Sequence, residues 1–136
     1  MKGRRDWVEF KDVAARRRPN GTRVSLNPKG EFVFDRKTFE LMNEPEAVVL
    51  LFDRATDTIG LKPSDPDSPN AVIVRTRHSR YNKIVRSLPF LKEHDIRLDR
   101  TVQFPTASID EDGILCLNLR DRIATGRPVR KPIGPV

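Results

Sequence analysis

A run of six apolar residues, 47–52, restricts the possible folds more than any other segment of the chain. Its sequence is Ala-Val-Val-Leu-Leu-Phe, so a β-strand formed here carries apolar side chains on both of its faces. A strand of this kind is buried on both sides, or it lies where two chains interleave. The charged turn at 53–57 and the segment Thr-Ile-Gly-Leu at 58–61 predict that the chain returns as an antiparallel hairpin.

The hairpin predicts a second copy of the chain, because the residues around it are too few to cover both of its faces. Two interleaved copies would bury both faces, and we therefore expect an obligate homodimer. The predicted dimer interface consists of five apolar side chains of the hairpin: Val48, Leu50, Phe52, Ile59 and Leu61.

The residues before this hairpin predict two short strands and a helix. Residues 23–26 alternate polar and apolar, residues 27–30 (Asn-Pro-Lys-Gly) are typical of a turn, and residues 32–34 continue as a second strand. Asp35 is placed to cap a short helix at 36–42, which Asn43 and Pro45 end. Further upstream, residues 6–15 fit either a short helix or an edge strand.

The second half of the chain, residues 71–119, repeats the order strand, helix, hairpin. A strand is predicted at 71–74, and a final hairpin turns at the sequence Asp-Glu-Asp-Gly, 110–113. Between them, five apolar residues at helical spacing predict a helix: Tyr81, Ile84, Val85, Leu88 and Leu91. Pro89 requires a kink or a new start there, and Ser87 is placed to cap a second short helix. Residues 62–70, with three prolines, predict a loop between the two units.

Positive charge is concentrated at the two ends of the chain. Lys and Arg number 26 against 19 Asp and Glu, a net charge of +7. Residues 1–23 hold eight basic and three acidic side chains and residues 120–136 hold five and one, whereas residues 24–70 hold five and nine. The basic linker within 1–21 and the Pro- and Gly-rich tail at 120–136, which we expect to be disordered, favour an anionic partner. Solvated ends that keep the protein soluble are the alternative.

Residues that could support catalysis or metal binding are few. His78 and His94 have no His, Cys or carboxylate at ligand spacing on a common element. Cys116, the single cysteine, lies within an apolar strand and predicts a buried structural thiol. The seven glycines form no loop that could cradle a phosphate. We therefore expect a protein that is not an enzyme and that has no cofactor and no metal site.

The location of the protein is predicted from two further features. The chain has no run of about 18 apolar residues, so we expect no membrane span. Charged residues interrupt the N-terminal segment Met-Lys-Gly-Arg-Arg-Asp-Trp-Val-Glu-Phe, which does not fit the apolar region of a signal peptide. The expected location is cytoplasmic.

Residues 22–63 resemble the swapped-hairpin AbrB-type DNA-binding domain, the family of transition-state regulators and MazE-like antitoxins. The resemblance rests on Arg-Val-Ser-Leu at 23–26, Lys-Gly-Glu-Phe-Val-Phe-Asp at 29–35, the end of the helix at 42–43, and the hairpin at 47–53 and 58–63. It implies an α+β, β-rich fold: a small swapped-hairpin-like β-barrel with short helices, followed here by the second strand-helix-hairpin unit. It also implies DNA contacts from four basic residues: Arg23, Lys29, Arg36 and Lys37.

Two functional hypotheses follow. The first is a dimeric regulatory protein that binds nucleic acid, expected to be double-stranded DNA, through basic residues on the domain and at both ends. The second is a non-catalytic protein-interaction or structural module of AbrB-like fold that has lost DNA binding and contacts an acidic protein partner. For the first, the predicted contact residues are Arg16, Arg17, Arg18, Arg23, Lys29, Arg36, Lys37, Arg127, Arg130 and Lys131.

Overall fold

The structure, a computed structural model, describes residues 22–77 and 82–125, which form a β-rich α+β fold. The strands are β1 (Val24–Leu26), β2 (Glu31–Phe34), β3 (Ala47–Asp53), β4 (Thr58–Ser64), β5 (Ala71–Ile73), β6 (Arg75–Thr76), β7 (Lys83–Arg86), β8 (Val102–Gln103), β9 (Ser108–Ile109), β10 (Leu115–Asn118) and β11 (Ile123–Ala124). The helices are α1 (Arg36–Leu41) and α2 (Leu88–Glu93), and Leu119–Asp121 forms a 3-10 turn.

The strands form two antiparallel sheets. The first sheet has the order β11-β8-β1-β2-β7-β6, and the second has the order β5-β3-β4-β10-β9. Within residues 22–77 and 82–125 neither sheet closes on itself, so the predicted small β-barrel is not formed there. The reason lies in the order of the strands, because β11, β6, β5 and β9 remain at sheet edges.

The two halves of the chain occupy equivalent places in both sheets. In the first sheet β2 pairs with β7, and each has its own hairpin partner, β1 or β6, on the other side. In the second sheet β4 pairs with β10, and β3 and β9 flank them in the same way. Both central pairs are antiparallel. The strand orders β1-β2-β7-β6 and β3-β4-β10-β9 are therefore those expected of two similar units related by a two-fold axis. Strands of the predicted units 22–63 and 71–119 therefore lie side by side in each sheet.

The apolar hairpin buries one of its faces within the single chain, in a core that it shares with Phe32 and Phe34 of the first sheet. The predicted hairpin is confirmed, since β3 and β4 pair from Ala47 with Ser64 to Asp53 with Thr58. Val48, Ile59 and Leu61 are 0% exposed and belong to one hydrophobic cluster with Leu115 and Leu117 of β10. The single chain thus covers one face of the hairpin, the face that carries Val48, Ile59 and Leu61, whereas Leu51 on the opposite face is 39% exposed. The homodimer stays a prediction.

The first half forms its local structure as its sequence predicts. Asp35 caps α1, because its Oδ1 accepts a hydrogen bond from the backbone N–H of Thr38 at 2.9 Å. Asn43 has the left-handed φ of 71° expected after this helix. The turn before β2 closes with a hydrogen bond from the N–H of Gly30 to the carbonyl of Asn27, 2.9 Å long.

Three predictions for the second half are wrong in part. Ile84 and Val85 lie on β7 and not on a helix, because β2 offers them an antiparallel partner. Ser87 makes no side-chain cap, since its hydroxyl donates to the carbonyl of Gly30 instead. The disordered tail predicted from residue 120 is wrong for residues 120–125, which contain the end of the 3-10 turn and the strand β11, paired with β8. Residues 6–15 and 126–136 lie outside the described residues.

Candidate nucleic-acid interface

The outward face of the first sheet carries polar side chains across its central strands. Val24 and Leu26 are buried in the core, so the alternation of a strand places Arg23 and Ser25 on the opposite face. On β8, Val102 is buried and Gln103 is half-buried. Ser25 and Gln103 are paired residues of β1 and β8, so they lie side by side on this face.

These residues line a groove with a volume of about 580 Å³, which we call the sheet groove. Its lining residues come from both halves of the chain: Arg23, Ser25, Asn27, Val33, Phe34, Asp35, Arg77, Asn82, Thr101 and Gln103. Seven of them have a hydroxyl, an amide or a guanidinium group, and one has a carboxylate. The groove is therefore a polar surface rich in hydrogen-bond donors.

The charge of the sheet groove is positive. Arg23 and Arg77 contribute two guanidinium groups, and Asp35 contributes the single carboxylate. That carboxylate accepts hydrogen bonds from the backbone N–H of Thr38 at 2.9 Å and from its hydroxyl at 2.7 Å, so it faces the start of α1. Within the described part of the chain, neither guanidinium group makes a hydrogen bond or an ion pair.

The backbone on both sides of the groove is fixed by hydrogen bonds. The N–H of Arg23 donates to Oγ1 of Thr38 at 2.8 Å, and its carbonyl accepts from the N–H of Asp35 at 3.4 Å. On the other side, the N–H of Arg77 donates to the carbonyl of Asn82 at 2.7 Å. Thr38 is 0% exposed, so α1 is attached to the strand end that carries Arg23.

The amides of the groove differ in what they can still bind. Asn27 is engaged within its own turn, because Oδ1 accepts from the N–H groups of Lys29 and Glu31 and Nδ2 donates to Glu31. Asn82 and Gln103 make no side-chain hydrogen bond to the described residues. Guanidinium groups bind phosphate oxygens, and free amides can donate to and accept from base edges. The groove thus has the groups that a nucleic-acid contact requires.

The structure brings only one of the predicted contact residues into this groove, Arg23. Lys29 lies in the turn between β1 and β2, and Arg36 and Lys37 are exposed on α1, where Arg36 forms an ion pair with Glu40 at 3.1 Å. The remaining six predicted residues lie outside the described residues: Arg16, Arg17, Arg18, Arg127, Arg130 and Lys131.

Sequence reasoning missed the groove residues of the second half. Arg77, Asn82, Thr101 and Gln103 come from segments that are distant from Arg23 in sequence and meet it only through strand pairing. One signal was available. Polar residues directly beside buried apolar residues, such as Gln103 beside Val102, indicate the exposed face of a strand.

The predicted dimer interface has a different environment from the one expected. Val48, Ile59 and Leu61 have no exposed surface in the single chain, and Leu50 and Phe52 are half-buried against the same core. A partner could reach the first three only by replacing part of the chain's own core, as a domain-swapped copy would do.

No metal site and no membrane-spanning helix is found in the described ranges. They contain no group of three or more His, Cys, Asp or Glu side chains that could hold a metal ion. Burial raises the pKa of the Cys116 thiol, and the nearby carboxylate of Asp110 raises it further. Such a shift disfavours the reactive thiolate. None of the helices in the described ranges is both long and apolar enough to span a bilayer.

Comparison of the chain with protein-family models, with curated proteins and with solved structures finds no match. The arguments below therefore rest on the residues and their arrangement alone.

Proposed function

We propose that the protein binds nucleic acid and acts as a regulatory protein, with the sheet groove as the contact surface. The observation that carries the proposal is the pair Arg23 and Arg77, one from each half of the chain, in a groove of donors with no ion-pair partner among the described residues. Guanidinium groups bind phosphate in a planar, two-pronged geometry, and flanking amides read base edges. Double-stranded DNA is the expected ligand.

Basic residues are distributed unevenly between the residues that the structure describes and the remaining segments of the chain. The described residues hold 15 Lys and Arg against 16 Asp and Glu, whereas residues 1–21, 78–81 and 126–136 hold 11 against three. Contacts between cations and phosphates supply most of the affinity for nucleic acid and depend strongly on salt. We propose that the basic segments supply this affinity and that the groove fixes the position of the ligand.

We also propose that the fold is a variant of the AbrB-type swapped-hairpin arrangement. In that family two chains interleave, whereas here the two halves of one chain take up the two-fold strand order. The two-fold order and the buried hairpin support this proposal. A consequence is that one chain would present one groove built from both halves.

Fluorescence anisotropy with a labelled random duplex, at 50 and 200 mM salt, tests the proposed function. The wild-type protein should bind at the lower salt and bind more weakly at the higher salt. The double variant Arg23→Gln and Arg77→Gln should lose about tenfold or more in affinity. The double variant Lys62→Gln and Lys92→Gln is the matched control, because it removes the same charge from exposed positions outside the groove.

Two outcomes would contradict the proposal. One is that the wild-type protein does not bind at 50 mM salt. The other is that the groove variant and the control lose the same affinity, which would show that only total charge matters. Deletion of residues 126–136 removes three cations, Arg127, Arg130 and Lys131, and should flatten the salt dependence by up to about 0.9 per lost phosphate contact.

A protein-interaction module is the second candidate, and an apolar patch on the second sheet favours it. Leu51 and Ile73 are 39% and 40% exposed. Strand pairing places Leu51 opposite Gly60, and Ile73 opposite Ala47. Exposed apolar side chains on one sheet face are typical of a surface that contacts another protein. A protein that co-purifies in equal amount, with no bound nucleic acid, would favour this function.

A further inference from the structure

A second cleft, at the end of α2, contains a concentration of arginines that the proposed function does not use. Its volume is about 540 Å³, and we call it the arginine cleft. Three parts of the fold meet there: the turn between β3 and β4, the residues after α2, and the 3-10 turn after β10. The lining residues are Phe52, Arg54, Asp57, His94, Asp95, Ile96, Arg97, Leu119, Arg120 and Arg122.

The acidic side chains of the cleft are already paired. Asp57 accepts from Nε of Arg120 at 3.0 Å, and Asp95 accepts from Nε of Arg97 at 2.8 Å. The guanidinium group of Arg120 also donates to the carbonyl of Ala55 at 3.0 Å, which ties the 3-10 turn to the hairpin turn. Two of the four arginines are therefore engaged in holding the walls of the cleft.

The other two arginines keep their charge available. Within residues 22–77 and 82–125, Arg54 and Arg122 have no carboxylate partner, and the one hydrogen bond of the Arg122 guanidinium group is a long contact of 3.5 Å to the carbonyl of Leu119. The cleft thus has four guanidinium groups and two carboxylates. An anion can bind here without breaking an ion pair.

His94 adds a polar group that lacks a partner. Its ring packs between Phe52 and Phe90, with centroid distances of 4.8 Å to each. Its Nδ1 atom is buried and forms no hydrogen bond within the described structure. Buried polar atoms are nearly always hydrogen-bonded, to protein or to water, so this nitrogen can form one further hydrogen bond at the edge of the cleft.

A cleft at the end of the other helix differs from the arginine cleft in charge. It lies after α1 and β4, and its lining residues are Met42, Asn43, Glu44, Pro45, Glu46, Pro63, Ser64 and Asp65. It has three carboxylates and no Lys or Arg. Met42 there and His94 here occupy the same position, directly after a six-residue helix. A basic lining is therefore not a general property of the clefts at the helix ends of this fold.

We propose that the arginine cleft binds a phosphate group through Arg54 and Arg122. The guanidinium fork matches the geometry of phosphate oxygens, and two cations from different walls can hold one dianion between them. The phosphate can belong to a nucleic-acid backbone or to a small phosphorylated molecule. This inference does not rest on the function of the sheet groove, since the two sites share no lining residue.

Titration of the ¹⁵N-labelled full-length protein with inorganic phosphate, at constant ionic strength, tests the proposal. Saturable shifts are expected in the signals of Arg54, His94 and Arg122. The double variant Arg54→Gln and Arg122→Gln should bind phosphate at least tenfold more weakly, while Lys62→Gln and Lys92→Gln, with the same loss of charge, should bind as the wild type does. The proposal would be overturned if phosphate shifted the signals of the cleft variant and of the control variant equally, or if the wild-type protein showed no saturable shift.

A second titration separates the two sources of the phosphate. It is performed with the double variant Arg23→Gln and Arg77→Gln, in which binding at the sheet groove is weakened. The result for the arginine cleft then does not depend on whether the sheet groove binds nucleic acid. If the ligand is a nucleic-acid backbone, a short single-stranded thymidine oligonucleotide shifts the cleft signals at lower concentrations than inorganic phosphate does. If the ligand is a small phosphorylated molecule, inorganic phosphate and pyrophosphate shift them and the oligonucleotide does not. Absence of shifts with all three probes contradicts the proposal.

Discussion

Ser87 donates two hydrogen bonds to the single carbonyl of Gly30, one from its backbone N–H at 2.7 Å and one from its hydroxyl at 2.8 Å. Ser87 is 2% exposed and lies at the start of α2, and Gly30 lies in the turn between β1 and β2. The contact joins the two halves of the chain beside the β2·β7 pair. It places the backbone of Leu88 so close to Gly30 that a Cβ on Gly30 would lie 2.7 Å from Leu88 Cα.

We therefore expect Gly30→Ala to destabilise the protein more than Gly113→Ala does. Both glycines have a left-handed φ, 85° and 80°, which costs alanine about 1–2 kcal/mol. Only at Gly30 must a backbone also move, which adds about 1–3 kcal/mol, whereas nothing lies within 4 Å of a Cβ on Gly113. Chemical denaturation of both variants measures the difference. Equal losses of stability would contradict the close packing of the two halves.

The hydroxyl of Thr38 should be important for the stability of the groove wall. It accepts from the N–H of Arg23 at 2.8 Å and donates to Asp35 at 2.7 Å. Thr38→Val keeps the shape of the side chain but leaves the partly buried N–H of Arg23 without its acceptor, at a cost of about 1–3 kcal/mol in unfolding free energy. The exposed control Thr56→Val should change it by less than about 0.5 kcal/mol. An unchanged melting temperature for Thr38→Val would show that this network is not formed.

The thiol of Cys116 should react slowly with alkylating reagents near neutral pH. Its pKa is raised by burial first and by the carboxylate of Asp110 second, whose Oδ2 lies 3.9 Å from the sulfur. Because the thiolate is the reacting form, a raised pKa moves the rate profile to higher pH. Asp110→Asn should move the profile back part of the way, since burial remains. Asp112→Asn is the control, because it removes a charge that has no contact with the sulfur. Identical pH profiles of the alkylation rate for the two variants would contradict the effect of Asp110 on the pKa of the thiol.

The mass of the protein in solution tests whether one chain completes the fold. Because Val48, Ile59 and Leu61 are already fully buried in the core of the single chain, we expect a monomer of 15.6 kDa in light scattering, in place of the homodimer that the apolar hairpin suggested. Twice this mass would support the homodimer. Two copies would then either exchange halves or meet at a surface other than these three side chains.

The sequence predicted local elements well and long-range pairing poorly. The hairpin of β3 and β4, the Asp35 cap and the turn at Gly30 depend on residues close together in the chain, and all three are present. Alternation shows which face of a strand is apolar, but it does not show which distant strand will cover that face. The homodimer was inferred for this reason, although the core that buries Val48, Ile59 and Leu61 contains apolar side chains from both sheets of the same chain.

The same limit applies to the sheet groove. Arg23 was predicted as a contact residue from its position near the first strand, but Arg77 and Gln103 were not, because only the pairing of β1 with β8 and of β2 with β7 brings them near it. Ile84 and Val85 illustrate the related error in secondary structure. Their spacing fits a helix, but β-branched residues beside an available strand pair with it.

A chemical-shift map of the ¹⁵N-labelled protein with a short DNA duplex shows whether nucleic acid contacts the sheet groove. If it does, the largest shifts occur at the backbone amides of Arg23, Ser25, Arg77 and Gln103, which lie together on the outward face of the first sheet. Shifts confined to the face of the second sheet around Leu51 and Ile73, or no shifts in the described residues, would contradict this contact.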